Sequence, residues 1–432
     1  MITLKGKWAK IVVLVFSFLF PLSTFLSNPA KAQQRFVGGD ISLLPQYEKY
    51  QVPYYDADGR QISDVLQYMK SEAVGWNAQR VRLFVNPTPS LDYNDPAVCQ
   101  DLDYVIAFGK RIKEAGFAFM LDFHYSDTWA DPAKQWTPAE WLSLSDEQLQ
   151  QKLYDYTKDC LTKLVEAGAA PDFIQTGNEI SFGMLWGKQG TSANRCYINS
   201  SAANWNRFIA LLQHAVKACR EVCPEAKIII HSERSGDATV AVDMYKRLAE
   251  VDYDIIGLSY YPFWHKGLPV LSETLNRLAS NFPDKMVQIV EAAYNYQYLT
   301  NPEYDFSSIW PITPEGQAAF ARDLIAELKK HANVNGLYWW FPEENGTGPN
   351  KSVTGGWLNR GLWDNSSHRA LPALFELKSF LDSETSIKSL TSHLSPLTSS
   401  NDWYSLQGIR LSSAPSRDGL YLHGGQKVLL HH

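Results

Sequence analysis

Eight short apolar runs, each followed by a stretch with helical spacing, constrain this chain more than any other feature of its sequence. The runs are Phe36–Ser42, Arg80–Val85, Phe117–Phe123, Phe173–Thr176, Lys227–His231, Ile255–Ser259, Met286–Val290 and Gly336–Trp340. Several are apolar almost throughout, as parallel strands covered on both faces must be. Between them, Leu102, Val105, Ile106, Gly109 and Ile112 recur at helical spacing, and Gly116 follows where a C-terminal cap belongs. Leu149, Leu153, Tyr156, Leu161 and Leu164 repeat the pattern ahead of Gly168. Eight strand-then-helix units predict an α/β fold of the (β/α)8 barrel type. The competing architecture, an open doubly wound sheet, lacks its Gly-x-Gly-x-x-Gly turn after the first strand.

Charge and composition exclude other classes. The 432 residues carry 40 basic and 46 acidic side chains, a formal charge of −6, which argues against nucleic acid or an anionic membrane as the main partner. The 14 Trp, 22 Tyr and 20 Phe suit a protein that stacks flat apolar faces, sugar rings included. At the N-terminus, Lys5, Lys7 and Lys10 precede an apolar run from Ile11 to Leu22, and Ala30-Lys31-Ala32 offers an A-x-A cleavage site. The expectation is a signal peptide over 1–32, a mature chain starting near Gln33, no membrane span after processing, and a secreted or cell-surface location. The five cysteines, Cys99, Cys160, Cys196, Cys219 and Cys223, leave at least one thiol unpaired. Packing is the expected role for most of them, with room for one or two disulfides.

Active sites of (β/α)8 barrels gather at the C-terminal ends of the strands. Here those ends read Arg80/Arg82, Asp122-Phe123-His124-Tyr125, Gly177-Asn178-Glu179, His231, Tyr260-Tyr261, Glu291 and Trp339/Trp340. Glu179 ends the fourth strand unit and Glu291 the seventh, so the two face each other across the barrel mouth. Two facing carboxyls are the equipment for cleaving a glycosidic bond: one protonates the leaving oxygen while the other attacks or stabilises the anomeric carbon. Arg82 is expected to hold Glu291 ionised, with Arg80 as second choice; the lesser alternative is that such an inward Arg is a structural partner of Asp122 or another buried acid. Trp264 and Trp340 are expected to be sugar platforms, and Trp129 and Trp186 are weaker candidates.

The segment Leu121-Asp-Phe-His-Tyr-Ser-Asp-Thr-Trp-Ala-Asp-Pro132 with Gln135 resembles the arabinogalactan endo-β-1,4-galactanases, retaining barrel glycosidases of the family 53 type. So do Gly177-Asn-Glu179 with Leu185-Trp186, Gly257-Leu-Ser-Tyr-Tyr-Pro-Phe-Trp-His265 and Val290-Glu-Ala-Ala-Tyr294. The resemblance covers about Phe36 to Leu381 and implies endo-cleavage of β-1,4-galactan, the side chain of pectin, by double displacement. It implies Glu179 as general acid/base and Glu291 as nucleophile. The substrate-binding set that goes with them is Arg82, Asp122, His124, Asn178, His231, Tyr260, Trp264, Tyr294 and Trp340. No cofactor or metal is expected. Some relatives carry a calcium loop after the seventh strand, but Asn295–Asp305 has too few clustered oxygen ligands for one. Phe84, Ala292, the run after His231, and the loops 295–314 and 341–357 depart from the family pattern and put subsite number in question. A β-mannanase or β-glucanase of the same clan and a non-catalytic carbohydrate-binding barrel stand as alternatives. The partner is a polysaccharide and the expected state a monomer.

A barrel over 33–381 leaves a Ser/Thr-rich linker at 382–401 and a terminal segment, 402–432. Trp403–Leu411 and Gly419–Leu430 read as short strands with a Gly turn. This segment resembles the sorting tails of proteins exported by the type IX system of Bacteroidetes-type bacteria.

Overall fold

The computed structural model describes residues 34–197, 199–299, 302–347 and 359–382, and, in the C-terminal segment, 403–404, 410–411, 415, 419–423 and 426–430. The expected leader over 1–32 and the Ser/Thr-rich stretch beyond Asp382 lie outside the described residues. Eight parallel strands close into a barrel: β1 (Phe36–Asp40), β2 (Ala78–Leu83), β3 (Ala118–Phe123), β4 (Phe173–Thr176), β5 (Lys227–Ser232), β6 (Ile255–Tyr260), β7 (Met286–Ala292) and β8 (Val334–Trp340). β1 pairs with β8 to complete the ring. Every predicted run is a strand, with ends displaced by at most two residues.

The helices that follow the strands span Val65–Lys70, Leu102–Glu114, Asp146–Glu166, Ala202–Val222, Ala238–Arg247, Leu268–Asn281, Pro314–Leu328 and Pro372–Glu376. Their starts are marked chemically. Asp64, Asp101, Asp237 and Thr313 each accept a first-turn N–H, and Ser145 forms a reciprocal capping box with Gln148. Gly116 and Gly168 sit just past two helix ends at φ +76° and +79°, left-handed backbone that glycine adopts without a Cβ clash.

The barrel interior is layered. Ala78, Met120, Phe173, Ile229, Ile255, Val290 and Tyr338 form an apolar cluster separate from the one that packs the helices on the sheet. Side chains two residues further along several of these strands are polar and equally buried: Arg80, Asp122, Gln175 and His231. An apolar plug therefore underlies a polar layer, and only the groups above that layer can meet a ligand. Gly38 permits the tight β1–β2 approach, because a Cβ there would lie 2.0 Å from the Ala78 carbonyl oxygen.

All five cysteines are free, and four are buried. In the C-terminal segment, β9 (Trp403–Tyr404), β10 (Arg410–Leu411), β11 (Gly419–His423) and β12 (Gln426–Leu430) form an antiparallel sheet in the order β10-β9-β11-β12. Trp403 stacks on His423, with ring centroids 4.2 Å apart.

Candidate active site

β4 runs out through Gly177 and Asn178 to Glu179, which sits at φ +49°, a left-handed conformation that costs a non-glycine residue on the order of 1–3 kcal/mol. Surrounding hydrogen bonds hold it there. The Glu179 N–H donates to His231 Nδ1 (3.3 Å), the Ile180 N–H to the His231 carbonyl (3.0 Å), and Gln135 Nε2 to the Asn178 carbonyl (2.7 Å). Strain of this kind, fixed by neighbours, aims the carboxyl inward.

Glu291, near the end of β7, is buried and multiply held. Arg80 Nη1 lies 3.1 Å from its Oε1, and Tyr261 Oη donates to its Oε2 at 2.8 Å. Ser259 Oγ stands between the carboxyls, 2.6 Å from Glu179 Oε1 and 3.5 Å from Glu291 Oε2. These two contacts limit the separation of those oxygens to about 6 Å, close to the spacing of about 5–5.5 Å that retaining glycosidases use.

Both carboxyls open on a cleft of about 440 Å³, lined also by Asp40, Arg80, Arg82, His124, Trp129, Asn178, Glu233, Tyr261, Trp264 and Trp340. Desolvation raises the Glu179 carboxyl well above the usual carboxylate range, and the charges of Glu291 and Glu233 push it further. Burial also lifts Glu291, to about 7, but Arg80 and Tyr261 oppose the rise. Glu291 therefore loses its proton first, and Glu179 keeps one.

The expected residues divide into three groups. Glu179, Glu291, Asn178, Arg82, His124, Trp264 and Trp340 reach the cleft. Trp264 is 40% exposed there, with Tyr261 edge-on beneath it, and Trp340 lies 6.4 Å from Trp129 across the wall. Among these seven, His124 and Asn178 are tied to the Ala130 backbone. His124 Nδ1 accepts the Ala130 N–H, so its Nε2–H points to Asp122 (3.2 Å) and only ring carbons are left to face a ligand. Asn178 is held at Nδ2 by the Ala130 carbonyl and at Oδ1 by Arg80.

The second group lies below the cleft. Asp122 is fully buried and taken by Arg80, Gln175 and His124, and His231 is fully buried between Asn178, Glu179 and Ser259. Both belong to the polar layer and do not reach substrate space. The third group points elsewhere. Tyr260 donates to the Lys266 carbonyl and packs on Phe320; Tyr294 donates to the Trp310 carbonyl and stacks on the same ring.

Glu291 has one partner other than the one expected and one that was not singled out. The arginine on Glu291 is Arg80, not Arg82. Both alternate to the inner face of β2, but Arg82 is a layer nearer the rim, where Asp40 (3.2 Å), the Ala97 carbonyl and the Trp129 face hold its guanidinium. Arg80 is also the structural partner of Asp122, so the two roles weighed for an inward arginine coexist in one side chain. The tyrosine on Glu291 is Tyr261. The pairing of β6 with β7 shifts register between Leu258 and Ser259, and Ser259 and Tyr261 share the inner face. Alternation from Ile255, a member of the interior cluster, turns Ser259 and Tyr261 inward; the extra residue of the bulge, Val290, lies in β7 and brings Glu291 opposite Ser259. Asp40 and Glu233 lay in no recognised motif, and Ser259, although inside the Gly257–His265 run, was not singled out; their closeness in space reveals them.

Among the described residues no group of three or more His, Cys, Asp or Glu side chains is placed to hold a metal ion. What the site can do is donate a proton from one carboxyl and a lone pair from the other, across a cleft walled by aromatic rings. A (β/α)8 barrel carrying that pair defines a glycoside hydrolase of the barrel type.

Comparison with known proteins narrows the class. The profile of Glycosyl hydrolase family 53 matches residues 36–377, and the chain belongs to that family. A protein of Niallia circulans described as "Uncharacterized protein in bgaB 5'region" is 35% identical over 82% of this chain and 96% of its own. An arabinogalactan endo-beta-1,4-galactanase of Thermothelomyces thermophilus is 33% identical over 71% of this chain and 88% of its own. Among solved structures, the Ignisphaera aggregans GH53 catalytic domain is 30% identical with a TM-score of 0.71, covering 82% of this chain and 98% of that one.

Proposed function

We propose that the protein is an endo-β-1,4-galactanase that cleaves galactan with retention of anomeric configuration. The observation that carries this reading is the single hydroxyl, Ser259, in contact with both carboxyls, which leaves too little room for the separation of about 6.5–9.5 Å that inversion requires. Glu179 gives its proton to the glycosidic oxygen as Glu291 attacks the anomeric carbon. Glu179 then takes a proton from the water that releases the glycosyl ester. The N–H groups that Asn178 Nδ2 and the Arg82 guanidinium keep beyond their protein partners meet sugar hydroxyls, and Trp264 and Trp340 cover the apolar faces of neighbouring galactose units. The relatives named as galactanases support galactan as substrate. Incubation with β-1,4-galactan, mannan and glucan tests the reading: galacto-oligomers whose first-formed anomer is β are expected, and preferred release from mannan or glucan, or an α first product, would overturn it.

The leader and the tail support export. A secreted chain with Gln33 at its N-terminus is the expected result of terminal sequencing, and retention of residues 1–32 in the mature protein would contradict it.

The pH response follows from the Glu291 contacts. Its carboxyl must be ionised to attack, and the Tyr261 hydrogen bond favours that form. Tyr261→Phe should therefore move the acidic limb of kcat/KM upward by about half to one pH unit. An acidic limb unchanged or displaced downward would show that Tyr261 does not act on the nucleophile.

A further inference from the structure

A bulge in β7 sets Glu291 opposite Ser259, whose hydroxyl has so far served only as a measure of distance. Ser259 is fully buried, and among the described residues it is the side chain hydrogen-bonded to the Glu179 carboxyl. Its Oγ also lies 2.9 Å from His231 Nε2. A serine hydroxyl has one proton to donate and lone pairs to fill, so its direction is decided by the ring beside it.

His231 is kept neutral by burial, with Arg80 adding to the effect. Its Nδ1 has two neighbours: the Glu179 N–H at 3.3 Å and Asn178 Oδ1 at 3.0 Å. With the proton on Nε2, Nδ1 accepts the Glu179 N–H, Nε2–H fills a lone pair of Ser259, and the hydroxyl proton is left for Glu179 Oε1. With the proton on Nδ1, Asn178 accepts it, Nε2 draws the serine proton, and Oγ can only accept from a protonated Glu179. Asn178 Oδ1 already accepts from Arg80 at 2.9 Å and from Gln175 at 3.3 Å. The Glu179 N–H has no acceptor but Nδ1 among the described residues. Only the first arrangement gives the Glu179 N–H an acceptor; it leaves Nδ1 and Asn178 Oδ1 facing as acceptors at 3.0 Å, a cost offset by the Arg80 and Gln175 N–H groups already on that oxygen.

We infer that Ser259 is a positioning residue for the acid/base: aimed by His231, its hydroxyl donates to Glu179 Oε1 in both halves of the reaction. This rests on the retaining reading. In the first half Oε1 is occupied as an acceptor, so the transferred proton is carried on Oε2. The glycosidic C–O bond breaks with its electron pair passing to the departing sugar oxygen, which takes the proton from Oε2, while a lone pair of the Glu291 carboxylate bonds to the anomeric carbon. In the second half the hydroxyl stabilises the Glu179 carboxylate. A water proton passes to Oε2, the water oxygen bonds to the anomeric carbon, and the Glu291–carbon electron pair returns to Glu291.

The titratable and charged groups facing Glu179 are Glu291 on β7, Tyr261 after β6, Glu233 and His231 from β5, Asp131 from the loop after β3, and Arg80 on β2. All remain in place when only the serine hydroxyl is removed. Ser259→Ala should therefore move the basic limb of kcat/KM, which reports Glu179, upward by about half a unit or more. On an aryl β-galacto-oligosaccharide with a good leaving group it should give a burst of phenol, then a steady rate reduced about tenfold as water attack becomes limiting. Ser259→Thr, which keeps the hydroxyl, should restore the wild-type limb. If the alanine protein lacks native circular dichroism, Ser259→Cys serves instead, with the upward shift expected in the same direction. A basic limb that stays in place overturns the inference, and one that moves downward assigns Ser259 as an acceptor from Glu179 and overturns it too. The anomer formed by the wild-type enzyme separates the two claims. An inverted product removes the retaining reading itself, whereas a retained product with an unmoved limb removes only the role of Ser259.

Discussion

Glu179→Ala is expected to lose about 10²–10⁴-fold in turnover on galactan while losing far less on aryl glycosides with good leaving groups. The difference follows from where the proton goes. A departing sugar alkoxide is a strong base and cannot leave unprotonated, whereas a nitrophenolate needs no acid. The deletion also empties space beside the anomeric carbon, in a cleft whose wall includes Arg80 and Arg82. Azide fits such a space and attacks the glycosyl-enzyme without help from a base, so added azide should restore part of the rate and yield a β-glycosyl azide. Glu291→Ala, by contrast, should be inactive on every substrate, since no leaving group substitutes for the attacking carboxylate, and polysaccharide binding should remain measurable. Equal losses on polymer and aryl glycoside in the Glu179 variant, with no response to azide, would remove the acid/base assignment. Turnover near the wild-type rate in the Glu291 variant would remove the nucleophile.

The barrel and its carboxyl pair were legible in the sequence because parallel strands and their ends leave coarse marks. Met286–Val290 is apolar but for Gln288, Phe173–Thr176 opens on Phe173-Ile174, and a carboxylate follows each at Glu291 and Glu179. What the sequence does not carry is height within the barrel. Arg80 and Arg82, or Asp122 and His124, alternate to the same inner face, and only closure of the ring sets which member of each pair lies in the buried layer. Asp122 and His231 were read as substrate ligands for that reason, yet their partners are protein atoms. The choice of Tyr260 came from the family resemblance, whereas alternation from the inward-facing Ile255 turns Tyr261 into the barrel. Tyr294 follows β7 closely enough to suggest the rim, but its ring is drawn outward into the aromatic cluster of Trp310 and Phe320. Distances along a strand survive in sequence; distances between strands arise from register.

The layer that sequence could not resolve carries the other large effect. Arg80→Met should unfold the protein more readily by about 3–5 kcal/mol at neutral pH and also abolish most activity. Arg80 is buried, and its two terminal nitrogens reach Asp40 (2.7 Å), Asp122 (2.8 Å), Glu291 (3.1 Å) and Asn178 (2.9 Å). Burial alone would lower its pKa, but the charges of Asp122, Glu291 and Asp40 raise it instead. In return, and against burial, Arg80 and His124 hold the Asp122 carboxyl below its ordinary value. A group depressed in the folded state contributes stability above its unfolded pKa and loses it as pH falls through the folded value. Without Arg80 the sign reverses for Asp122, and Glu291, already raised by burial, rises further: both become carboxyls buried without that cation, and the folded variant gains relative stability as acid protonates them. The gap between wild type and Arg80→Met should therefore narrow between pH 7 and pH 4, which denaturant unfolding at both values would measure. Activity should fall because Glu291, no longer held ionised, carries a proton at neutral pH and cannot attack. Arg80→Lys should not rescue it, since one ammonium cannot span Asp40, Asp122 and Glu291 with the geometry of a planar fork. A stability loss below about 1 kcal/mol, or a gap that widens in acid, would mean that Asp40 and Asp122 find other compensation and that the nucleophile does not depend on this arginine.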